Sequence, residues 1–277
     1  MPPPLRTAPA RLLDVLREAI GALRQRRDLA LLIAVLVLAA GAWAFAGIAD
    51  VVAEGEAREF EEQVMLAFRA PGDLDDPIGP PAVEEAVRDL TALGGVLLTT
   101  LATLFGVGYF SLARKPRTAA FVTGAVVSGV AVTFALKAGF DRPRPDLVAH
   151  QMEALSASFP SGHSATAAVV YLTLGALIAR ALPLRRLQLY VVGAAVLLTL
   201  GIGVSRIYLG VHWPTDVLAG WTVGAGWALA AWLVGRDARR RGWIEPAGPA
   251  GAEPAPSPLP PQRTPLPSGP TASSPRP

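Results

Sequence analysis

The chain carries the sequence SRIYLGVHWPTD at residues 205–216, between two apolar runs that are each long enough to cross a membrane. Pro214 suits the first turn of a helix, because its missing N–H would have no partner there. Asp216 then follows His212 by four residues, so its carboxylate can hold one imidazole N–H and leave the other ring nitrogen as a nucleophile or base. Arg206 adds a permanent cation suited to phosphate oxygens. Because ionisable groups at a membrane edge are costly and usually functional, this stretch is a candidate site.

Apolar runs of the same kind recur along the whole chain, which is 52% hydrophobic and only 17% charged. A helix needs about 20 apolar residues to cross a bilayer. The sequence therefore predicts an all-α polytopic membrane protein with six transmembrane helices. The first run is predicted to be an uncleaved anchor; a cleaved signal peptide is the alternative, but Trp43 and Phe45 are poor cleavage-site residues. The predicted spans are roughly 29–48, 91–112, 118–139, 162–178, 187–204 and 216–234.

Three regions follow from this pattern: a basic segment at 1–28, a six-span core at 29–244, and a disordered tail at 245–277 that is rich in Pro, Ser, Gly and Ala. The basic segment has apolar residues at helical spacing, which fits either a helix on the membrane surface or a poorly ordered tail.

The largest loop of the core, at residues 50–91, opens with an acidic amphipathic segment on which Phe60, Val64, Met65 and Phe68 share one face. Residues 73–81 then read as a turn. The segment is predicted either to rest on the bilayer interface or to act as a lid or a ramp for lipids.

The loop charges predict the orientation of the chain. With six spans, all the basic segments fall on one side, which is then cytoplasmic and carries both termini. The candidate site falls on the opposite, extracytoplasmic face, which in a bacterial inner membrane is periplasmic. The basic segments are 1–28, 114–117, 180–186 and 236–241, and the loops on the opposite face are 50–91, 137–162 and 205–216.

Two further segments on that face carry chemistry. Lys137 ends the third span, and Arg142 and Arg144 follow in a loop stiffened by prolines; alone, these are better explained as interfacial cations that extend to water. Ser161 precedes the fourth span and can cap it. The backbone N–H groups at the start of this helix can then bind an anion, and His163 would lie beside that anion. A capped helix with an incidental histidine is the alternative. Taken with residues 205–216, the cations, histidines and helix starts suit a dianionic phosphate.

The composition excludes several other site types. The chain has no cysteine, hence no disulfide, thiolate metal site or cysteine nucleophile. No group of Asp and Glu accompanies the cations to hold Mg²⁺, and no set of three histidines suits zinc. His150, the remaining histidine, is predicted to be a bystander. We therefore expect no metal, no cofactor and no nucleic-acid partner.

The residues also carry a family resemblance. Lys-x6-Arg-Pro at 137–145, Pro-Ser-Gly-His at 160–163 and Ser-Arg-x5-His-x3-Asp at 205–216 resemble the three-part signature of the type-2 phosphatidic acid phosphatase family, which includes bacterial lipid phosphatases and the vanadium haloperoxidases. The resemblance covers roughly residues 90–235 and implies a role for each matching residue. His212 is implied to form a phosphohistidine, Asp216 to orient it, and His163 to protonate the leaving oxygen. The implied phosphate-binding residues are Lys137, Arg144, Ser161, Gly162 and Arg206, and Arg142 lies off the motif spacing and receives no role.

The predicted function is hydrolysis of a lipid phosphate or diphosphate within the membrane. Undecaprenyl diphosphate is the favoured substrate, followed by phosphatidic acid or phosphatidylglycerol phosphate. A vanadate-dependent haloperoxidase and a non-enzymatic lipid-phosphate binder or transporter are the alternatives. The oligomeric state is left open, because Gly220 and Gly224 permit close helix packing either within one chain or between two.

Overall fold

The structure, a computed structural model, describes residues 26–147 and 157–246. The predicted basic segment up to residue 25, His150 and the Pro-rich tail from residue 247 lie outside the described residues.

The described chain is a bundle of helices with one short hairpin. Strands β1 (Arg69–Ala70) and β2 (Asp73–Pro77) pair antiparallel within the predicted loop, where the sequence predicted only a turn at 73–81. Helix α6 contains a π-helical turn at Ala168–Leu172. The helices are α1 (Arg26–Glu54), α2 (Arg58–Leu66), α3 (Pro81–Ala92), α4 (Val96–Leu112), α5 (Pro116–Ala138), α6 (Gly162–Ala181), α7 (Arg185–Tyr208) and α8 (Pro214–Arg240).

Five of these helices, α1, α5, α6, α7 and α8, are long and apolar enough to cross a membrane. Helices α3 and α4 qualify together, with a bend of 52° between them, and make a sixth span when they are counted as one. The prediction of an all-α polytopic membrane protein is thereby confirmed.

The second predicted span, at 91–112, differs from the structure because the helix breaks at residues 93–95. Glycine is a poor helix former, and Gly94 and Gly95 stand together at this point. A Cβ on Gly94 would lie 2.5 Å from the Ile202 side chain, so the close approach of α7 requires glycine here. The break brings the end of α3 and the start of α4 beside the N-terminus of α6.

Helix α8 lies in the middle of the bundle and packs against α1, α5, α6 and α7. Its Gly220 and Gly224 face α6: a Cβ on Gly224 would lie 2.4 Å from the Ala168 Cβ, and one on Gly220 would lie 2.8 Å from the Ser161 carbonyl oxygen. These glycines therefore serve packing within one chain.

The three site segments meet at one end of the bundle. The Lys137 Nζ donates to the Pro160 carbonyl at 3.4 Å, and the Ser161 N–H donates to the Asp216 carbonyl at 2.9 Å. Basic turns meet at the other end, where the Arg180 guanidinium lies 4.4 Å from the centre of the Trp232 ring. The predicted separation of the basic turns from the site loops is therefore present in the fold.

Glu245, the first residue of the predicted tail, is bonded to the bundle at the basic end. Its carboxylate accepts hydrogen bonds from the N–H groups of Arg117 and Thr118 at 2.9 and 2.8 Å, and from the Thr118 hydroxyl at 2.7 Å. Glu245 thus contacts the bundle and caps the N-terminus of α5.

The amphipathic helix α2 docks against the protein through most of the predicted face. Met65 is fully buried in a cluster with Ile207, Trp213 and Val217, and Val64 and Phe68 pack against the same cluster. Phe60, which was predicted to share the apolar face, is 57% exposed, and the neighbouring Glu61 is fully buried instead. The inward position goes to Glu61 because its carboxylate has charged and polar partners in the site.

Candidate active site

His212 lies in the turn between α7 and α8 and is only 2% exposed. Its Nδ1 is 3.3 Å from Oδ2 of Asp216, which sits in the first turn of α8. The same Oδ2 accepts the Trp213 backbone N–H at 3.0 Å, so the start of the helix fixes the carboxylate. On the opposite edge of the ring, Nη1 of Arg144 is 3.3 Å from Nε2. Because arginine can only donate, these contacts assign the proton to Nδ1 and the lone pair to Nε2.

Burial lowers the pKa of His212 to about 4, although the hydrogen bond and the charge of Asp216 act in the opposite direction. The charges of Arg206 and Arg144 act in the same direction as burial and contribute to this lowered pKa. His212 is therefore neutral at ordinary pH and presents an unprotonated Nε2. A neutral imidazole that is oriented by a carboxylate can act as a nucleophile or as a base.

The three predicted cations are each tethered beside this ring. Nη1 of Arg144 donates to the Val211 carbonyl at 2.7 Å, and burial lowers the pKa of Arg144. Arg206 is 3% exposed and donates to the Thr91 hydroxyl at 3.1 Å. Lys137, held by its bond to the Pro160 carbonyl, is close enough to Arg144 and Arg206 for their charges to interact. The structure thus brings all three cations to one place, where they can attract an anion of high charge.

The N-terminus of α6 completes the site. Ser161 is the N-cap of the helix: its hydroxyl accepts from the Ser164 N–H at 3.5 Å and from the Ser164 hydroxyl at 3.0 Å, as the sequence predicted. A Cβ on Gly162 would have no atom within 4 Å, so the backbone there borders open space. His163 follows, within electrostatic reach of His212 and of all three cations. Helix N–H groups that border open space among cations form an anion site.

Comparison with known proteins identifies the family of the chain. A family model described as the PAP2 superfamily matches residues 118–240. Phosphatidylglycerophosphatase B of Bacillus subtilis (strain 168) is 34% identical over 151 residues, which cover 53% of this chain and 72% of that protein. The chain belongs to the PAP2 superfamily. Lipid A 1-phosphatase of Rhizobium etli is 28% identical to this PAP2 protein over 194 residues, which cover 61% of this chain and 78% of the relative.

A solved structure supports the same fold. It is described as the first transmembrane PAP2 type phosphatidylglycerolphosphate phosphatase from Bacillus subtilis, and it superposes with a TM-score of 0.65 at 26% identity, covering 72% of this chain and 96% of that one. The predicted resemblance, the membrane-embedded fold and the assignment of the chain as a membrane lipid phosphatase are thereby confirmed.

Several residues of this PAP2 site were not predicted from the sequence. Arg142, which received no role, donates from Nη1 to Oδ1 of Asp216 at 2.6 Å. The Ser158 hydroxyl donates to Oδ2 of the same carboxylate. The sequence offered one signal for Arg142, its place two residues before Arg144 in the same proline-stiffened loop.

Two more contributors, Glu61 and Thr91, lie before residue 118, where the PAP2 match begins. Thr91 accepts a hydrogen bond from Arg206, as described above, and Glu61 accepts one from Nη2 of Arg142 at 2.6 Å. Neither residue carries a local sequence signal, since a threonine near a span and a glutamate in an acidic helix are both ordinary. Their partners are found only after folding.

Proposed function

We propose that this PAP2 enzyme hydrolyses its lipid phosphate through a phosphohistidine formed on Nε2 of His212. The observation that carries the proposal is the position of this ring, with Nδ1 facing Asp216 and Nε2 facing Arg144. In the first step, the Nε2 lone pair forms a bond to phosphorus as the bond from phosphorus to the leaving oxygen breaks; that oxygen belongs to the lipid alcohol of a monophosphate or to the lipid monophosphate released from a diphosphate. His163 gives its proton to that departing oxygen.

The second step regenerates the enzyme. The same His163, now neutral, takes a proton from water while the water oxygen bonds to phosphorus. The P–N bond breaks, its electron pair returns to Nε2 of His212, and inorganic phosphate leaves. Asp216 stays ionised throughout and keeps the proton of His212 on Nδ1.

Side-chain cations, rather than a metal ion, are proposed to stabilise the charge on the transferring phosphoryl group. The phosphoryl group is proposed to bind among Lys137, Arg144 and Arg206, against the N-terminus of α6. There Ser161 caps the helix, and Gly162 offers its backbone N–H to a phosphate oxygen. Among the residues that the structure describes, no three His, Asp or Glu side chains form a group suited to a metal. Activity should therefore persist in excess EDTA, and activity that needs added Mg²⁺ would contradict this part of the proposal.

The proposed substrates are lipid phosphate or diphosphate monoesters, with undecaprenyl diphosphate first. The site lies at one end of the apolar bundle, where a headgroup can enter while its tail remains in lipid. Each buried methylene adds about 0.8 kcal/mol, so a membrane substrate is favoured over a soluble ester. The 34% identical relative, named phosphatidylglycerophosphatase B, supports phosphatidylglycerol phosphate as the next candidate, alongside phosphatidic acid.

A labelled-phosphate experiment tests the mechanism and the substrate class together. Rapid mixing with a ³²P-labelled lipid phosphate, followed by an alkaline quench, should trap an acid-labile, base-stable phosphoprotein that is absent in His212→Ala. The kcat/KM values for undecaprenyl diphosphate, phosphatidic acid, phosphatidylglycerol phosphate and a soluble sugar phosphate are then compared in one detergent. A label that persists in His212→Ala would overturn the mechanism, and a preference for the soluble ester would overturn the lipid substrate.

A further inference from the structure

A buried carboxylate outside the PAP2 match reaches into the site. Glu61, on the amphipathic helix α2, is fully buried, and its Oε2 accepts from Nη2 of Arg142 at 2.6 Å. Its other oxygen accepts from the hydroxyl of Thr215. The second terminal nitrogen of Arg142 donates to Oδ1 of Asp216 at 2.6 Å and to the Thr215 hydroxyl at 2.8 Å. One guanidinium thus bridges a carboxylate of α2 and the carboxylate that orients the nucleophile.

This bridge fixes the plane of the Asp216 carboxylate. Oδ2 is held by the Trp213 N–H and faces Nδ1 of His212, while Oδ1 is held by Arg142. A carboxylate with both oxygens anchored cannot rotate about its χ2 bond without losing a charge-assisted hydrogen bond. Arg142 is in turn held by Glu61, so the position of α2 sets the position of the guanidinium.

The apolar contacts of α2 do not require a glutamate at this position. Met65 already docks the helix against Ile207, Trp213 and Val217. Burying an ionised carboxylate is costly unless it is well paired, and a buried ion pair is weak evidence for stability. A role for Glu61 in orienting the Asp216 carboxylate accounts for a buried acidic residue at this position of α2.

We infer that Glu61 and Arg142 are positioning residues, which hold Asp216 in the plane that orients His212 and make docking of α2 a condition for full activity. The inference rests on the proposed function, because it gives His212 and Asp216 their roles. It adds a residue from beyond the PAP2 match and a coupling between the outer helix and the chemical step.

Glu61→Gln tests the inference, with Glu62→Gln as the matched control. Glu62 is the next residue on the same helix, and its carboxylate bonds Arg58 at 2.7 Å on the exposed side. A misplacement of about 1 Å in a reacting group can cost about 100-fold in rate, so kcat of Glu61→Gln should fall by about 10-fold or more. KM should change little, since Glu61 does not contact the phosphate-binding cations, and Glu62→Gln should keep the wild-type rate.

A double-mutant cycle separates positioning from general destabilisation. If Glu61 acts through Asp216, the Glu61→Gln change should lower kcat hardly at all in an Asp216→Asn background. If the two residues act independently, the fold-losses in kcat of the two single variants would multiply in the double variant. Equal activity of Glu61→Gln and Glu62→Gln, or an equal cost of Glu61→Gln in both backgrounds, would overturn the inference. Failure of the proposed function is distinguishable, because it would appear as a phosphoprotein that persists in His212→Ala.

An independent observation concerns the opposite end of the bundle. A groove of about 370 Å³ lies among α1, α6, α7 and α8, and its lining is apolar. Ile33 and Val37 on its edge are more than half exposed, so the groove opens to the outside of the bundle. Trp232 lines the groove, and two guanidinium groups lie over its ring, Arg180 at 4.4 Å and Arg236 at 5.8 Å from the centroid. Asp237, also on α8, pairs with Arg241 at 2.8 Å.

The geometry points to a binding site for an anionic phospholipid, with an acyl chain in the groove and the headgroup phosphate at Arg180 and Arg236. A phospholipid acyl chain in this apolar groove would make dispersion contacts with its walls. Two arginines at its mouth select a negative headgroup over a zwitterionic one. This site lies at the basic end, away from His212, and is separate from the substrate site.

Native mass spectrometry with added phosphatidylglycerol or phosphatidylcholine tests this site. We expect the wild-type protein to retain phosphatidylglycerol preferentially, and the double variant Arg180→Gln/Arg236→Gln to lose the preference. Arg240→Gln, an exposed arginine at the same end of α8, is the control and should keep it. Ala225→Leu, which fills the groove, should reduce the retention of both lipids. Equal retention of the two lipids by the wild type, or a preference that survives the double variant, would overturn the proposal.

Discussion

At the scale of single residues, the site depends on which nitrogen of His212 carries the proton. Asp216→Asn should keep the size and most contacts of the side chain but remove the charge that holds the proton on Nδ1. We expect kcat to fall by about 10³-fold or more, since the corresponding change in a Ser-His-Asp triad costs about 10⁴. His212→Ala should abolish turnover. The measurement is phosphate release under saturating substrate, and a rate near the wild-type value in either variant would contradict the assigned roles.

The pKa of His212 makes a second prediction, on stability. The folded protein protonates this ring near pH 4, whereas the unfolded chain does so near 6.5. Between these two pH values the unfolded state therefore binds more protons than the folded state. The contribution of the neutral ring to folding stability is complete above pH 6.5 and is lost as the pH falls toward 4. The loss is on the order of 3 kcal/mol.

Thermal unfolding of the wild type and of His212→Asn, measured from pH 7 to pH 4, checks this prediction. The asparagine variant lacks the titrating group, so the wild type should lose melting temperature relative to it across that window. A constant difference between the two proteins would show that His212 titrates normally in the folded state.

At the scale of elements, the contact between α6 and α8 aligns the phosphate-binding helix start with Asp216. Gly224→Ala places a methyl group 2.5 Å from the Ala165 carbonyl oxygen and 2.4 Å from the Ala168 Cβ. We expect a loss of stability of about 1–3 kcal/mol and a lower kcat, because the two helices must separate. Gly193→Ala on α7, where a Cβ meets no atom within 4 Å, is the control. Equal melting temperatures and rates for the two variants would contradict the packing shown here.

The cap that Glu245 places on α5 gives a prediction at the same scale. Burial raises the pKa of Glu245, but hydrogen bonds from the Thr118 hydroxyl and from the N–H groups of Arg117 and Thr118 outweigh this and lower it to about 2. The stabilisation is complete above the ordinary value of 4.5 and is lost as the pH falls toward 2. Glu245→Gln should cost about 1 kcal/mol at neutral pH, as helix caps do. Glu85→Gln, at an exposed position, is the control for thermal unfolding.

At the scale of the whole molecule, the fold separates the basic turns from the active site by the length of the bundle. Positive loops stay in the cytoplasm, so we propose an inner-membrane protein with both termini inside and the site on the periplasmic face. An alkaline phosphatase reporter fused after residue 150 should be active, and one fused after residue 183 should be inactive. The reverse pattern would place the chemistry on cytoplasmic lipids.

The sequence by itself determined the features that have a short-range signature. Apolar runs of sufficient length predict spans, because a hydrocarbon layer requires every backbone group to be bonded within a helix. The relation of Pro214 to Asp216 and His212 follows from helix geometry over four residues, and the structure reproduces it. These features need no knowledge of which helices are neighbours.

Only the tertiary structure decided the rest. Glu61 and Arg142 are 81 residues apart in the chain, and Arg206 and Thr91 are 115 apart, so no local pattern marks either pair. Gly94 and Gly95 mark the helix break locally, but the space that only a glycine at 94 fits is set by Ile202, which belongs to another helix. The exposed position of Phe60 follows from the burial of Glu61 beside Arg142. A charged side chain is buried only where a partner of opposite charge lies close to it, and the packing of the helices determines which residue that partner is.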